Sequence, residues 1–126
     1  MKKVLIVDDE PNILMSLDFL MRKEGYEVFI ARDGYEAIKI IDDDMPDIIV
    51  LDIMMPTVDG YEVCQYVKND DKKKHIKVIF LSAKSKKEDI EKGYEMGADF
   101  YMTKPFSTRD LMKEVKRMNQ QENMKN

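Results

Sequence analysis

Three runs of four large apolar residues, each followed directly by a polar side chain, most constrain how this chain folds. The runs are Val4–Val7 before Asp8, Ile48–Leu51 before Asp52, and Val78–Leu81 before Ser82. Continuous apolar runs of this length, rich in β-branched residues, are typical of strands that are buried on both faces of a sheet. A charged side chain that ends such a strand adds nothing to packing. We therefore expect these polar residues to serve a site beyond the strand ends.

Helical patterns separate the apolar runs. From residue 10 to residue 23, Ile13, Leu17 and Leu20 fall on one helical face, with Leu14 and Met21 beside them. Further strands are predicted at 26–31 and 99–102, and further helices at 34–41, 61–68, 85–96 and from Ser107 onward. Strands that alternate with helices of about a dozen residues predict an α/β fold: a parallel sheet covered on both faces and joined by right-handed crossovers.

Composition narrows the class of protein. The 126 residues fit one domain, and the net charge of −4 argues against broad attraction to nucleic acid or to an anionic membrane. The single cysteine, Cys64, lies on the inward stripe of its helix and is expected to be buried packing in a reducing compartment. No apolar run approaches the roughly 20 residues that cross a bilayer, and residues 1–10 do not form a signal peptide. We expect a cytoplasmic protein.

The polar residues at the strand ends form a chemically coherent set. In a parallel sheet they meet at one edge: Asp8 and Asp9, then Asp52, Ser82 and Lys104. Three neighbouring carboxylates repel one another unless a cation holds them, and oxygen ligands favour Mg²⁺. Aspartate is a nucleophile toward phosphorus, so the set predicts phosphoryl transfer onto Asp52. Mg²⁺, the Lys104 ammonium and the Ser82 hydroxyl would each take one phosphoryl oxygen.

Six short motifs occur in the order and at the spacing of one known family. They are Val7-Asp8-Asp9-Glu10-Pro11, Asp52-Ile53-Met54-Met55-Pro56, Asp59-Gly60, Leu81-Ser82-Ala83, Gly97-Ala98-Asp99 and Lys104-Pro105-Phe106. Over residues 2–120 the chain resembles a receiver domain of a two-component response regulator. The resemblance implies a three-layer, doubly wound, flavodoxin-like sheet of five parallel strands in the order 2-1-3-4-5, with five helices. It also implies a cis peptide bond between Lys104 and Pro105.

The same resemblance assigns roles to individual residues. Asp52 would be the phosphoacceptor, with Ser82 and Lys104 as the other catalytic residues. Asp9, Asp52 and the Met54 carbonyl would bind Mg²⁺, and Asp8 would act through water. Tyr101 matches the aromatic switch position and would move together with Ser82. Met54 and Lys84 would flank the path of the hydrolytic water, and methionine cannot position water, so we expect a long phosphoryl lifetime.

Partners follow from the resemblance as well. A histidine kinase or histidine phosphotransferase would donate the phosphoryl group, and the exposed side chains of Met15 and Phe19 are candidates for docking it. The face made by the fourth helix, fifth strand and fifth helix would be read by an effector protein or an output domain, and a phosphorylation-dependent dimer is compatible with this family. The receiver domain is expected at residues 1–120, with 121–126 as a polar tail or the start of a linker. We expect a phosphoacceptor with self-phosphorylation and autodephosphorylation chemistry, and no other enzyme activity.

Three alternatives compete with this interpretation. A phosphatase of the haloacid dehalogenase type also uses an aspartyl nucleophile, but it needs a second aspartate two positions later, where this chain has Met54. A flavin-binding electron carrier shares the sheet order, but the carboxylates would repel the flavin phosphate. A degenerate receiver that is never phosphorylated would not need an intact Asp52, Ser82 and Lys104.

Overall fold

The apolar runs form the centre of one parallel sheet. The computed structural model describes residues 2–124, with side chains described for residues 2–120. Within these residues, strands and helices alternate as β1 (Lys3–Val7), α1 (Pro11–Lys23), β2 (Glu27–Ala31), α2 (Gly34–Asp44), β3 (Ile48–Leu51), α3 (Gly60–Lys68), β4 (Lys77–Ser82), α4 (Lys87–Glu95), β5 (Phe100–Thr103) and α5 (Thr108–Met124). All neighbouring strands pair in parallel, in the order β2-β1-β3-β4-β5. The predicted doubly wound, flavodoxin-like sheet is confirmed.

Alternate residues of the strands supply two hydrophobic cores. On one face, Val4, Ile6 and their neighbours pack against α1 and α5. On the other face, Leu5, Val7 and their neighbours pack against α2, α3 and α4. Because every central strand is buried on both sides, its sequence is apolar at successive positions instead of alternating.

The strand order reverses between β1 and β3. From β1 the chain crosses to β2 on one side and later returns to β3 on the other, so these two strands lie side by side. Such a reversal leaves a crevice beyond the carboxyl ends of the two strands, because the connecting loops leave in opposite directions. The residues that follow β1 and β3 are Asp8 and Asp52, and the fold therefore places both at the crevice.

Helix α2 is longer than the pattern indicated. Its predicted end at residue 41 is wrong, since the helix continues to Asp44. Acidic residues at a helix C-terminus oppose the helix dipole. Tertiary contacts offset this cost: the Lys3 ammonium donates to the Asp44 carbonyl at 3.0 Å, and the Tyr66 hydroxyl donates to Asp42 at 2.6 Å. The helix ends at Met45, which has a left-handed backbone with φ of 47°.

Helix α4 has a thin apolar side. Ile90 is half-buried and Gly93 is buried, whereas Tyr94 is 45% exposed. The helix spans only Lys87–Glu95 instead of the predicted 85–96. With so little apolar surface against the sheet, α4 is the most weakly anchored helix by hydrophobic burial.

Helices α1 and α5 each bury one apolar side. In α1 the buried residues are Leu14, Leu17 and Met21, so the inward stripe is rotated from the one predicted. Helix α5 buries Leu111, Val115 and Met118.

Helix α5, with 17 residues, is the longest helix of the described chain. It continues to Met124. The predicted tail at 121–126 lies outside the described side chains, and residues 125 and 126 lie outside the described chain. In the part of the chain that the structure describes, no helix has the length and apolar content needed to cross a bilayer.

Candidate functional site

Backbone hydrogen bonds between neighbouring strand ends bring the predicted site residues together. The amide of Asp52 donates to the Val7 carbonyl at 2.9 Å, which ties the end of β3 to the end of β1 beside Asp8. The amide of Lys104 donates to the Ser82 carbonyl at 2.8 Å, which ties the end of β5 to the end of β4. The register of the sheet therefore sets the positions of these side chains.

Lys104 connects the two halves of the site. Its Nζ atom lies 2.9 Å from Asp8 Oδ2, 3.1 Å from Glu10 Oε1 and 3.8 Å from Asp52 Oδ2. Burial lowers the pKa of Lys104, but the hydrogen bond to Asp8 and the charge of Asp52 outweigh burial, and the net pKa is raised. Lys104 is therefore a fixed positive charge between these carboxylates.

Asp52 is a buried carboxyl group whose charge is poorly compensated. Its residue is 4% exposed, and burial raises its pKa to about 6. The carboxylates of Asp8 and Asp9 contribute to this raised pKa, while Lys104 and the amide of Met54, 3.3 Å from Asp52 Oδ1, oppose it. A second positive charge beside Asp52 would favour its ionised form, which is the form that acts as a nucleophile.

Three consecutive acids lie close to this carboxyl group. Asp8, Asp9 and Glu10 each have a carboxylate oxygen within 4.8 Å of one another. Asp8 is buried, and its carboxylate accepts hydrogen bonds from the Glu10 amide and the Lys104 ammonium. Asp9 and Glu10 are exposed. Asp52 is not part of this group within the described residues. Glu10 was not predicted as a site residue, although it directly follows Asp8-Asp9 in the sequence.

The donor atoms fit a hard divalent cation. Carboxylate and backbone carbonyl oxygens are the ligands that Mg²⁺ prefers. A cation among them would also remove the repulsion that raises the pKa of Asp52. The predicted ligand set of Asp9, Asp52 and the Met54 carbonyl, with Asp8 acting through water, stays a prediction.

The loop after Asp52 folds back onto it. A Cβ atom on Gly60 would collide with the Asp52 carbonyl and lie 2.6 Å from the Ile53 Cα, so only glycine fits there. The Gly60 amide donates to the Ile53 carbonyl at 2.9 Å, and Asp59 with Glu62 forms a capping box at the start of α3. Gly60 therefore positions the Asp52 backbone, a role visible in the sequence only as the Asp59-Gly60 motif.

Ser82 and Tyr101 lie beside the loop between β4 and α4. Ser82 is fully buried and its Oγ accepts the Lys84 amide at 3.1 Å. Tyr101 is 8% exposed, and its hydroxyl donates to the Lys84 carbonyl at 2.7 Å. Burial raises the pKa of Tyr101 to about 12, while a hydrogen bond with Ser82 opposes the shift. The structure thus places the aromatic ring in its inward position.

A small cavity opens next to the site. It measures about 460 Å³ and is lined by Ile53, Met54, Met55, Asp59, Tyr61, Lys84 and Lys92. Met54 lines this cavity and is 56% exposed. A larger cavity of about 1180 Å³ lies between the α1–β2 turn and α5 and includes none of the predicted site residues.

Three other predictions concern two exposed residues of α1, the cysteine and one peptide bond. Met15 and Phe19 are 71% and 66% exposed on α1, as predicted, and their docking role stays a prediction. Cys64 is fully buried, and burial raises the pKa of its thiol to about 12, which agrees with a packing role. The peptide bond between Lys104 and Pro105 is cis, as predicted.

Comparisons with known proteins agree with this geometry. The sequence model described as "Response regulator receiver domain" matches residues 4–116. Among solved structures, a fluoroberyllate-activated DrrB receiver domain is 34% identical, covers 95% of this chain and 98% of its own, and superposes with a TM-score of 0.88. The CheY-like receiver domain of Methanospirillum hungatei is 30% identical, covers 98% of each chain, and has a TM-score of 0.90. The chemotaxis protein CheY4 of Vibrio cholerae is 31% identical, covers 94% of this chain and 98% of its own, and has a TM-score of 0.86.

Proposed function

The chain belongs to the response regulator receiver domain family, whose members act in phosphorylation-dependent two-component signalling, and on that premise we propose that Asp52 is its phosphoacceptor. One observation carries the proposal. A buried carboxyl group at a strand end lies 3.8 Å from a fixed ammonium, that of Lys104, and beside a cluster of acids suited to Mg²⁺. This arrangement neutralises a phosphoryl group better than it stabilises a bare carboxylate.

The transfer step needs few protein groups. A carboxylate oxygen of Asp52 forms a bond to phosphorus, and the bond from phosphorus to the donor breaks. The donor, the imidazole of a kinase or phosphotransferase histidine or a small acyl phosphate, leaves with the bonding electron pair and takes up a proton. Lys104 and the Ser82 hydroxyl stabilise two of the phosphoryl oxygens. Bound Mg²⁺, held by Asp9, Asp52 and the Met54 carbonyl with Asp8 through water, would neutralise charge on the third.

The output is a change in the surface formed by α4, β5 and α5. Ser82 and the β4–α4 loop respond to the phosphoryl group, and Tyr101 contacts that loop through the Lys84 carbonyl. The thin apolar side of α4 makes this helix easy to displace. An effector protein or an output domain reads the surface, and Met15 and Phe19 dock the phosphodonor. The domain works in the cytoplasm and does not itself bind nucleic acid or membrane.

Incubation with acetyl phosphate and Mg²⁺ tests the proposal. Intact-mass spectrometry should show one added phosphoryl group in the wild type and none in Asp52→Asn. Asp71→Asn is a matched control, because the Asp71 side chain is 95% exposed and lies outside the site. Modification of Asp52→Asn at the wild-type rate, or no modification of the wild type, would contradict the assignment.

A phosphatase of the haloacid dehalogenase type predicts a different result. Such an enzyme would release inorganic phosphate repeatedly from a monoester such as p-nitrophenyl phosphate. We propose instead that the chain is no enzyme in this sense: it accepts phosphoryl groups from phosphohistidine or acyl phosphates, releases no phosphate from p-nitrophenyl phosphate, and loses its own phosphoryl group only by autodephosphorylation. Met54, which occupies the position of the second aspartate, carries no acid–base group.

A further inference from the structure

Three aromatic rings form a row beneath α4. The centroids of Tyr61 and Phe80 are 5.6 Å apart in an edge-to-face arrangement, and those of Phe80 and Tyr101 are 5.9 Å apart. Tyr61 and Tyr101 are each 8% exposed, and Phe80 is fully buried. Tyr61 is thus connected to the inward Tyr101 through a single buried ring. The predicted function does not use Tyr61.

Both tyrosine hydroxyls donate to backbone carbonyls of the β4–α4 segment. Tyr101 donates to Lys84 at 2.7 Å, in the loop that precedes α4. Tyr61 donates to Asp89 at 3.3 Å, in the first turn of α4. A tyrosine from α3 and a tyrosine from β5 therefore hold neighbouring parts of the same segment.

Tyr61 makes a second contact with α4. The Lys92 ammonium lies 4.4 Å from the centroid of the Tyr61 ring, within the range of a cation–π interaction. Residues 89 and 92 are three apart and so lie on one side of the helix. These two contacts tie α4 to the start of α3.

The distance of α4 from the sheet decides whether Tyr101 fits inward. A Cβ atom at Gly93 would lie 2.8 Å from Cδ2 and 3.0 Å from Cε2 of the Tyr101 ring. The ring therefore packs directly against the α4 backbone, and only a glycine leaves it room. A displacement of α4 changes both this packing and the position of the Lys84 carbonyl.

We propose that Tyr61 is a positioning residue that holds α4 where it seats Tyr101 inward, through the Asp89 carbonyl and the Lys92 ammonium. The proposal rests on the proposed function in one respect, namely that the inward Tyr101 belongs to the phosphorylated arrangement. When α4 exchanges between two positions, a contact that it makes only in the position with Tyr101 inward increases the population of that position. The same contact raises the affinity for a phosphoryl mimic that binds this state. Tyr61 then biases the domain toward activation before phosphorylation.

Fluorine NMR of protein labelled with 3-fluorotyrosine tests the positioning directly. The Tyr101 resonance is assigned with Tyr101→Phe, and Gly93→Ala supplies the shift of the displaced ring. Tyr61→Phe keeps the ring in the core and removes only the hydroxyl, so we expect the Tyr101 resonance to move toward the Gly93→Ala position. Tyr66→Phe is the matched control, since its hydroxyl lies on the same helix and binds Asp42 of α2 instead of α4.

The affinity for fluoroberyllate with Mg²⁺ supplies a second readout. Loss of one hydrogen bond in Tyr61→Phe should weaken the affinity for fluoroberyllate about 2- to 10-fold, whereas Tyr66→Phe should bind it as tightly as the wild type. Lys92→Met should act in the same direction, and Lys87→Met, at an exposed position of the same helix, should not.

A Tyr101 resonance that moves no further in Tyr61→Phe than in Tyr66→Phe overturns the positioning role. Failure of the wild type to bind fluoroberyllate contradicts the proposed function, while the NMR comparison still decides the role of Tyr61.

Discussion

The Nζ atom of Lys104 lies 3.8 Å from Asp52 Oδ2 but donates its shortest hydrogen bond to Asp8, at 2.9 Å. The ammonium is therefore shared between two buried carboxyl groups that follow different strands. Its hydrogen bond to Asp8 compensates a buried charge, and its other neighbour, Asp52, is the residue on which we expect the phosphoryl group. Removing this charge should affect both stability and transfer.

Lys104→Met should lower stability and slow phosphorylation together. Asp8 is 1% exposed and would lose the ammonium that compensates it, so the free energy of unfolding should fall by about 1–3 kcal/mol at pH 7. Phosphorylation by acetyl phosphate should slow by about 100-fold or more, because a phosphoryl oxygen loses its counter-charge. Urea denaturation and intact-mass kinetics measure the two effects. Lys87→Met is the control, and equal behaviour of both variants would contradict the role of Lys104.

Asp52→Asn should stabilise the metal-free protein in a pH-dependent way. The pKa of Asp52 is raised from 3.8 to about 6 by burial, so the folded state holds the proton more tightly than the unfolded state. The associated stability is fully present below pH 3.8 and is lost as the pH rises through about 6. At pH 7.5 the asparagine variant should exceed the wild type by about 1–2 kcal/mol, a value reduced for solvent screening.

Urea denaturation in chelator at pH 4 and pH 7.5 measures this difference, which should nearly vanish at the lower pH. Added Mg²⁺ should then stabilise the wild type more than Asp52→Asn. If the free energy of unfolding of Asp52→Asn exceeded that of the wild type by the same amount at both pH values, Asp52 would ionise as readily in the folded state as in the unfolded state.

Met54→Asn should shorten the lifetime of the phosphoryl group. The exposed Met54 side chain follows Asp52 by two residues, lines the small cavity and cannot orient water, whereas an asparagine amide can. After removal of acetyl phosphate, intact-mass spectrometry should show dephosphorylation several-fold faster than in the wild type. Met54→Leu controls for the loss of the thioether and should resemble the wild type. A wild type that loses its phosphoryl group as fast as Met54→Asn refutes this explanation.

Replacing Met15 and Phe19 by serine should slow transfer from a protein donor only. These side chains are 71% and 66% exposed and contribute little to the core, so folding and the reaction with acetyl phosphate should stay unchanged. Transfer from a purified histidine kinase that phosphorylates the wild type should slow about tenfold or more. Tyr35→Ser, at a 64% exposed position on α2, is the control. Equal slowing with both donors would place the defect in the site instead of the docking surface.

Much of the fold follows from local sequence. The apolar runs before Asp8, Asp52 and Ser82 are long enough to identify buried strands, and parallel strands that share one direction must bring those residues to one edge. The helix ends were less predictable. Asp44 is helical because Lys3, 41 positions away, donates to its carbonyl, and no local pattern contains that contact.

The sequence by itself determined which side chains reach the strand ends, because strand direction and register follow from the order of apolar runs. Only the tertiary structure decided how those side chains pair. Lys104 contacts Asp8 and Glu10, which lie more than ninety positions away, and their distances of 2.9 and 3.1 Å differ by less than 1 Å from the 3.8 Å to Asp52. The inward position of Tyr101 likewise depends on how closely α4 approaches the sheet at Gly93. Burial and Coulomb energies vary with through-space distance, and the linear sequence does not contain that distance.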